Sequence, residues 1–240
     1  MQSTQFPITL PADPEHTGMR FVVPLILLIS FVLGYLLVSA VLQRAFPEWG
    51  SVVFLSCLGA LPIGLLVAGV SEMVLKRVWP SGREVIVRPD SVTLRRPNQP
   101  DKNVELNERL DLLWWTFPLS DYPRGGRERR MPRGHWCAAG QLQQNGERLV
   151  CFCFAPEERV RAWNDRYELR ELDPEDIYDT SFQARMGAPI RPDLPSDVIT
   201  GDEGRHWLAE RNRWHEGVEL EPGDFETLLQ VVHSQADVQK

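Results

Sequence analysis

Residues 148–154 read RLVCFCF, so Cys151 and Cys153 lie one residue apart, and Cys137 precedes them in GHWCAAG. Closely spaced thiolates are the usual raw material of zinc and redox centres. The Asn145-Gly146 pair between the two stretches decides whether they can act together. Asn-Gly favours a type I′ turn, because both central positions of that turn need positive φ. The resulting register sets Leu142 opposite Leu149, Gly140 opposite Cys151, Ala138 opposite Cys153 and Cys137 opposite Phe154. Side chains alternate along a strand, so Cys151 and Cys153 share a face from which Cys137 is excluded. Three thiolates cannot converge without breaking the register, and His135 is not placed beside them. Core packing is the expectation, since reduced cysteines in strands behave as small apolar residues.

Other reactive side chains are sparse. His206 and Glu210 share a helical face, with His215 further along, but no third convergent ligand and no HExxH pattern accompanies them. Gly-x-Ser-x-Gly, Walker, dinucleotide and kinase signatures are missing from the sequence. PRGGRERRMPRG gathers Arg124, Arg127, Arg129, Arg130 and Arg133 against Glu128 in a glycine- and proline-punctuated loop. Such a loop can hold anionic lipid headgroups, dock an acidic protein or a phosphate, or simply be solvated. Without repeated Arg-Gly-Gly tracts or an aromatic platform, nucleic acid is not an expected partner. The tandem Trp114-Trp115 sits in an alternating stretch, so one ring faces inward and the other outward; Trp115 is taken as the outward member, at a lipid or partner contact, with core filling from both sides as the equal alternative.

The elements that carry these residues are dominated by two apolar runs. Phe21 to Leu42 and Trp49 to Ser71 contain 22 and 23 residues without a charge. At about 1.5 Å of rise per residue, each is long enough for a hydrocarbon core of roughly 30 Å. The polar stretch before the first run is long and lacks the short basic start of a cleaved signal peptide. Spans over about 21–42 and 49–74, within a hairpin over 21–75, are therefore expected. Lys76, Arg77, Arg83 and Arg88 follow the second run, which is expected to put both termini on the cytoplasmic side of the membrane. Counting outward from the short connection brings Gly34 to the depth of Gly59 and Ala60, and Ser30 to that of Gly64. Ala60, Gly64 and Ala68 form a small-residue stripe that lets two backbones approach closely. Glu72 is expected to pair with Lys76 one turn later.

Beyond the hairpin the periodicity becomes two. REVIVRPDSVTLRR reads as strand, turn, strand, pairing Val87 with Val92, Val85 with Leu94 and Glu84 with Arg95. After the Asn-Gly hairpin, APEERVRAW starts a helix with Val160 and Trp163 on its apolar side. With these three motifs the chain resembles small bacterial pleckstrin-homology-like membrane proteins, in which a helical hairpin precedes a strand-rich cytoplasmic domain ending in a helix. The resemblance implies a mainly-β, partly open barrel closed by one helix over residues 82–165, used for binding rather than chemistry. The arginine loop and the C-terminal region depart from a compact member of that group.

The net charge of −7 is unevenly spread. Residues 76–163 hold 16 Lys and Arg against 11 Asp and Glu, whereas residues 164–240 hold 8 against 18. Residues 166–240 read as an acidic linker with two short amphipathic helices. Trp207 and Trp214 mark one apolar side, ended by Gly217; Phe225, Leu228, Leu229 and Val232 mark the other. These six side chains must pack back on the domain or meet a partner, and a partner contact is the expectation. With residues 1–20 as a separate cytoplasmic segment, the whole reads as a non-catalytic, membrane-anchored interaction protein whose partners are lipids and a membrane protein or a second copy. No cofactor, metal or small-molecule substrate is implied. An accessory subunit of a transport or electron-transfer complex, and a membrane enzyme using Cys151, Cys153 or His135, are the alternatives.

Overall fold

A computed structural model of the chain describes residues 6–13, 17–47, 50–119, 131–178, 181–182 and 194–238. The chain divides into two units, Pro14–Ser81 and a second made of Met1–Asp13 with Gly82–Lys240.

The first unit is a pair of helices, α1 (Thr17–Ala45) and α2 (Val52–Val78). Both are long and apolar enough to cross a membrane. They meet along small side chains. Ser56, Ala60, Gly64 and Ala68 form a buried row on α2. A Cβ on Gly34 would touch Ala60 and Ile63 at 3.5–3.6 Å, and one on Gly64 would touch Phe31 at 3.5 Å. The Ser30 hydroxyl donates to the carbonyls of Leu27 (3.1 Å) and Gly64 (3.4 Å), so its polar atom is satisfied inside the pair. The depth matching read from the sequence is thus observed. Large apolar side chains such as Leu33, Leu37, Phe54, Leu58 and Leu66 point away from the seam and are exposed. Glu72 and Lys76 are paired at 2.8 Å.

The second unit is a mixed α/β domain. One sheet has the order β1-β2-β3-β4, from Ile8–Ala12, Arg83–Val87, Ser91–Arg95 and Lys102–Glu105, all antiparallel. The other has the order β8-β5-β6-β7-β9. Its antiparallel centre is β5 (Asp111–Pro118), β6 (His135–Gln144) and β7 (Glu147–Pro156). Two-residue parallel strands, β8 (Arg170–Glu171) and β9 (Val218–Glu219), line its edges. Among the described residues, the helices are α3 (Glu157–Tyr167), α4 (Ser196–Thr200), α5 (Gly204–Glu216) and α6 (Pro222–Val238), with a 3-10 turn at Pro174–Asp176. Both hairpin registers read from the sequence are present residue for residue.

Strand alternation divides the interior into two cores. Trp136, Ala138, Leu142, Leu149, Cys151 and Cys153 face one, together with Val85, Val87, Leu94, Trp163 and Phe225. Trp115, Phe117, Cys137, Ala139, Phe152 and Trp207 fill the other. The second sheet is therefore covered on both sides, and this corrects several expectations. Residues 8–12 are not part of a separate segment but the strand β1, paired over five residues with β2, and Leu10 and Ala12 are buried. Residues 166–240 are not a tether. Trp207 closes the second core; Phe225, Leu228, Leu229 and Val232 enter the first, each no more than 1% exposed. Apolar stripes on short helices must be covered, and the nearest cover is their own domain. Trp115 is likewise 0% exposed rather than outward, because α5 roofs the face it occupies.

Candidate functional site

The cysteines are packing groups. Cys151 and Cys153 lie opposite Gly140 and Ala138 on one face of the hairpin, and Cys137 lies opposite Phe154 on the other. All three are fully buried. Burial pushes the Cys137 thiol up to about 12, although the Arg213 charge opposes it. Burial raises Cys151 and Cys153 further still. Protonated thiols are neither nucleophiles nor metal ligands. Among the described residues, no group of His, Cys, Asp and Glu could hold a metal ion.

A polar cluster that sequence reading missed lies under α5. Arg213 donates from Nε to Glu210 Oε2 at 2.8 Å and from Nη2 to Oε1 at 2.6 Å, and both side chains are 0% exposed. Glu210 also accepts from Trp115 Nε1 at 2.9 Å and from the Tyr178 hydroxyl at 2.6 Å. The Tyr178 oxygen in turn accepts from Trp214 Nε1 at 2.8 Å. The Arg213 guanidinium lies 4.8 Å from the Phe152 ring centre and 5.9 Å from that of Phe117. Burial works against the Arg213 charge, but the Glu210 carboxylate and its hydrogen bonds prevail, so it stays ionised. Burial, then the Glu210 charge, raises Tyr178, which remains a phenol donor. The carboxylate thus has donors on both oxygens, and the pair is closed off from water. It fastens α5 to β5 and is not arranged for turnover. A signal existed: Trp207, Glu210 and Trp214 fall at i, i+3 and i+7, so the tryptophan side of the helix carries the carboxylate with it.

The remaining predicted contact residues separate. Ser30, Gly34, Gly59, Ala60, Gly64 and Ala68 come together within the helix pair. Arg124, Arg127, Arg129 and Arg130 lie outside the described residues, while Arg133 is exposed in the turn before β6. Trp214 is half-buried against Tyr178. An open groove of about 610 Å³ runs beside β5, walled by Trp114, Leu169, Glu168 and His206. Burial, with Arg170 next, lowers the His206 pKa below its ordinary 6.5, so the imidazole is neutral at pH 7. Among the described residues, no serine, threonine or cysteine lines the groove.

One position joins the domain to the helices. The β1–β2 ladder ends at Ala12 opposite Arg83, leaving Asp13 and Gly82 as the residues beyond it. Both have positive φ, 51° and 74°. Arg83 Nη1 donates to Asp13 Oδ2 at 2.7 Å. Asp13 Oδ1 accepts from the Glu219 amide at 2.9 Å, and the Asp13 amide donates to the Glu219 carbonyl at 2.7 Å. A Cβ on Gly82 would press on Pro97 at 3.1 Å. No family model, curated protein or solved structure matches this chain.

Proposed function

We propose that the chain is a membrane-anchored, non-catalytic interaction protein of the bacterial inner membrane. In this reading α1 and α2 cross the bilayer as a two-pass hairpin, and the domain contacts lipid headgroups and protein partners from the cytoplasm. One observation carries it: the strand before α1 pairs along its whole length with the strand after α2. Two paired strands occupy one compartment, so the intervening helices return the chain to the side from which it left. An even number of crossings is the arrangement a membrane hairpin requires. The exposed apolar faces of both helices favour lipid as their surroundings, since few water-soluble proteins expose patches of this kind. Lys76, Arg77, Arg83 and Arg88 favour the cytoplasmic side for the domain. The sequence of an antiparallel four-stranded sheet, three further antiparallel strands and then α3 supports the pleckstrin-homology-like reading, to which α5 and α6 are additions. Closed cores and protonated thiols favour binding over chemistry.

Two measurements test this. Asn145→Cys in intact cells should resist a membrane-impermeant maleimide and react once the cells are lysed; labelling before lysis overturns the topology. Native mass spectrometry after detergent extraction should show bound lipid or protein. A bare monomer at every salt concentration overturns the interaction role.

A further inference from the structure

We propose that residues 14–81 are an insertion in the turn of a β-hairpin, so that anchoring and recognition reside in separable parts of the chain. The domain contains everything it needs on either side of the insertion. β1 supplies Leu10 and Ala12 to the first core, beside Val85 and Val87. Ala12 also bridges to Leu220, tying β1 to the segment between α5 and α6. Without β1, β2 would be an open sheet edge. The ladder closes at Ala12–Arg83, and the two residues beyond it are aspartate and glycine, both at positive φ. Asp-Gly with two left-handed residues is the sequence and the backbone of a type I′ turn, the favoured two-residue hairpin connection. Joining Asp13 to Gly82 gives ITLPA-DG-REVIV, a continuous hairpin.

Among the described residues, the hydrogen bonds and close contacts of Asp13 and Gly82 set out above lie within the domain. Asp13 is held by the Arg83 guanidinium and the Glu219 backbone, and Gly82 rests against Pro97, all within the domain. The inference stands whether or not α1 and α2 cross a bilayer, so its failure and that of the membrane reading are distinguishable. It gives the domain's binding activity to a water-soluble form of the protein.

The test compares four chains: a direct splice lacking residues 14–81, the same splice with Gly-Ser-Gly between Asp13 and Gly82, a fragment of residues 82–240, and a splice lacking 14–82. The direct splice should be soluble, melt in one cooperative transition and protect the amides of Ile8–Ala12 from exchange. The 82–240 fragment should aggregate or melt at least about 10 °C lower, having lost a strand. Removing Gly82 as well should lower the melting temperature of the splice by several degrees, because one residue cannot close the turn. If neither the direct splice nor a version with Gly-Ser-Gly between Asp13 and Gly82 melts cooperatively, separability is overturned. If only the linker version folds, or if the 82–240 fragment is as stable as the splice, the hairpin-turn assignment is overturned.

Discussion

Glu210 and Arg213 are the side chains on which the docking of α5 depends most. Two opposite charges without water are tolerable only while each satisfies the other. Arg213→Met alone should therefore destabilise the domain by about 3–5 kcal/mol, by stranding the carboxylate. Adding Glu210→Leu should recover part of that loss. Denaturant unfolding of the detergent-solubilised chain, followed by tryptophan fluorescence, reads both changes. The thiols make a second residue-scale prediction. Cys137 stays protonated in the fold to about pH 12, against an ordinary thiol value of 9.0. At pH 8, an alkylating reagent should modify Cys137, Cys151 and Cys153 only at the rate of unfolding, as mass spectrometry would register. The folded pKa lies above the unfolded one, so the thiols' contribution is intact below about pH 9 and declines as pH rises through the folded value. Alkali should therefore lower the melting temperature. The Glu210–Arg213 pair was hidden in the sequence because a charged pair three residues apart on a helix ordinarily faces water.

Among the elements, α6 is a wall of the first core, and Phe225 meets Trp163 and Trp114 at ring-centre distances of 5.7 and 6.1 Å. Phe225→Ala should cost about 3–5 kcal/mol and Leu228→Ala about 2–5 kcal/mol. A residue held only by a partner would leave the isolated chain's melt unchanged, so this measurement separates the two locations directly. In the helix pair, Gly34→Leu and Ala60→Leu should force α1 and α2 apart, since both positions lie in the buried seam. Cross-linking efficiency between cysteines at positions 30 and 64 of otherwise cysteine-free chains should fall severalfold, whereas Leu66→Ala on the outer face should leave it unchanged. These seams were legible because a turn or a row of small side chains fixes a register locally. Asn145-Gly146 aligned ten residue pairs, and the short connection between the apolar runs aligned Gly34 with Ala60. The position of β1 was not legible, since its partner begins at Arg83 and no nearby turn announces it. The stripes of α5 and α6 were equally plain, but an amphipathic pattern specifies that a face must be covered and not by which surface. Trp115 was misplaced for the same reason: alternation assigns a side, and both sides are inside.

For the molecule as a whole, the pairing of β1 with β2 couples the domain to the passage of the helices. With both helices in the bilayer, as proposed, deleting residues 50–74 leaves one crossing and sends β1 to the face opposite β2. The domain of that variant should be digested by protease within the time that the full chain resists, while removal of all of residues 14–81 leaves resistance in place. Arg83 and Asp13 then have a meaning beyond their ion pair, because they meet only after the chain has made its round trip. A polypeptide left with a single crossing would carry an unzipped strand and an unfinished interior, a defect visible to proteolytic quality control. In that reading it is the completed return of the chain, whichever side it starts from, that folding itself checks.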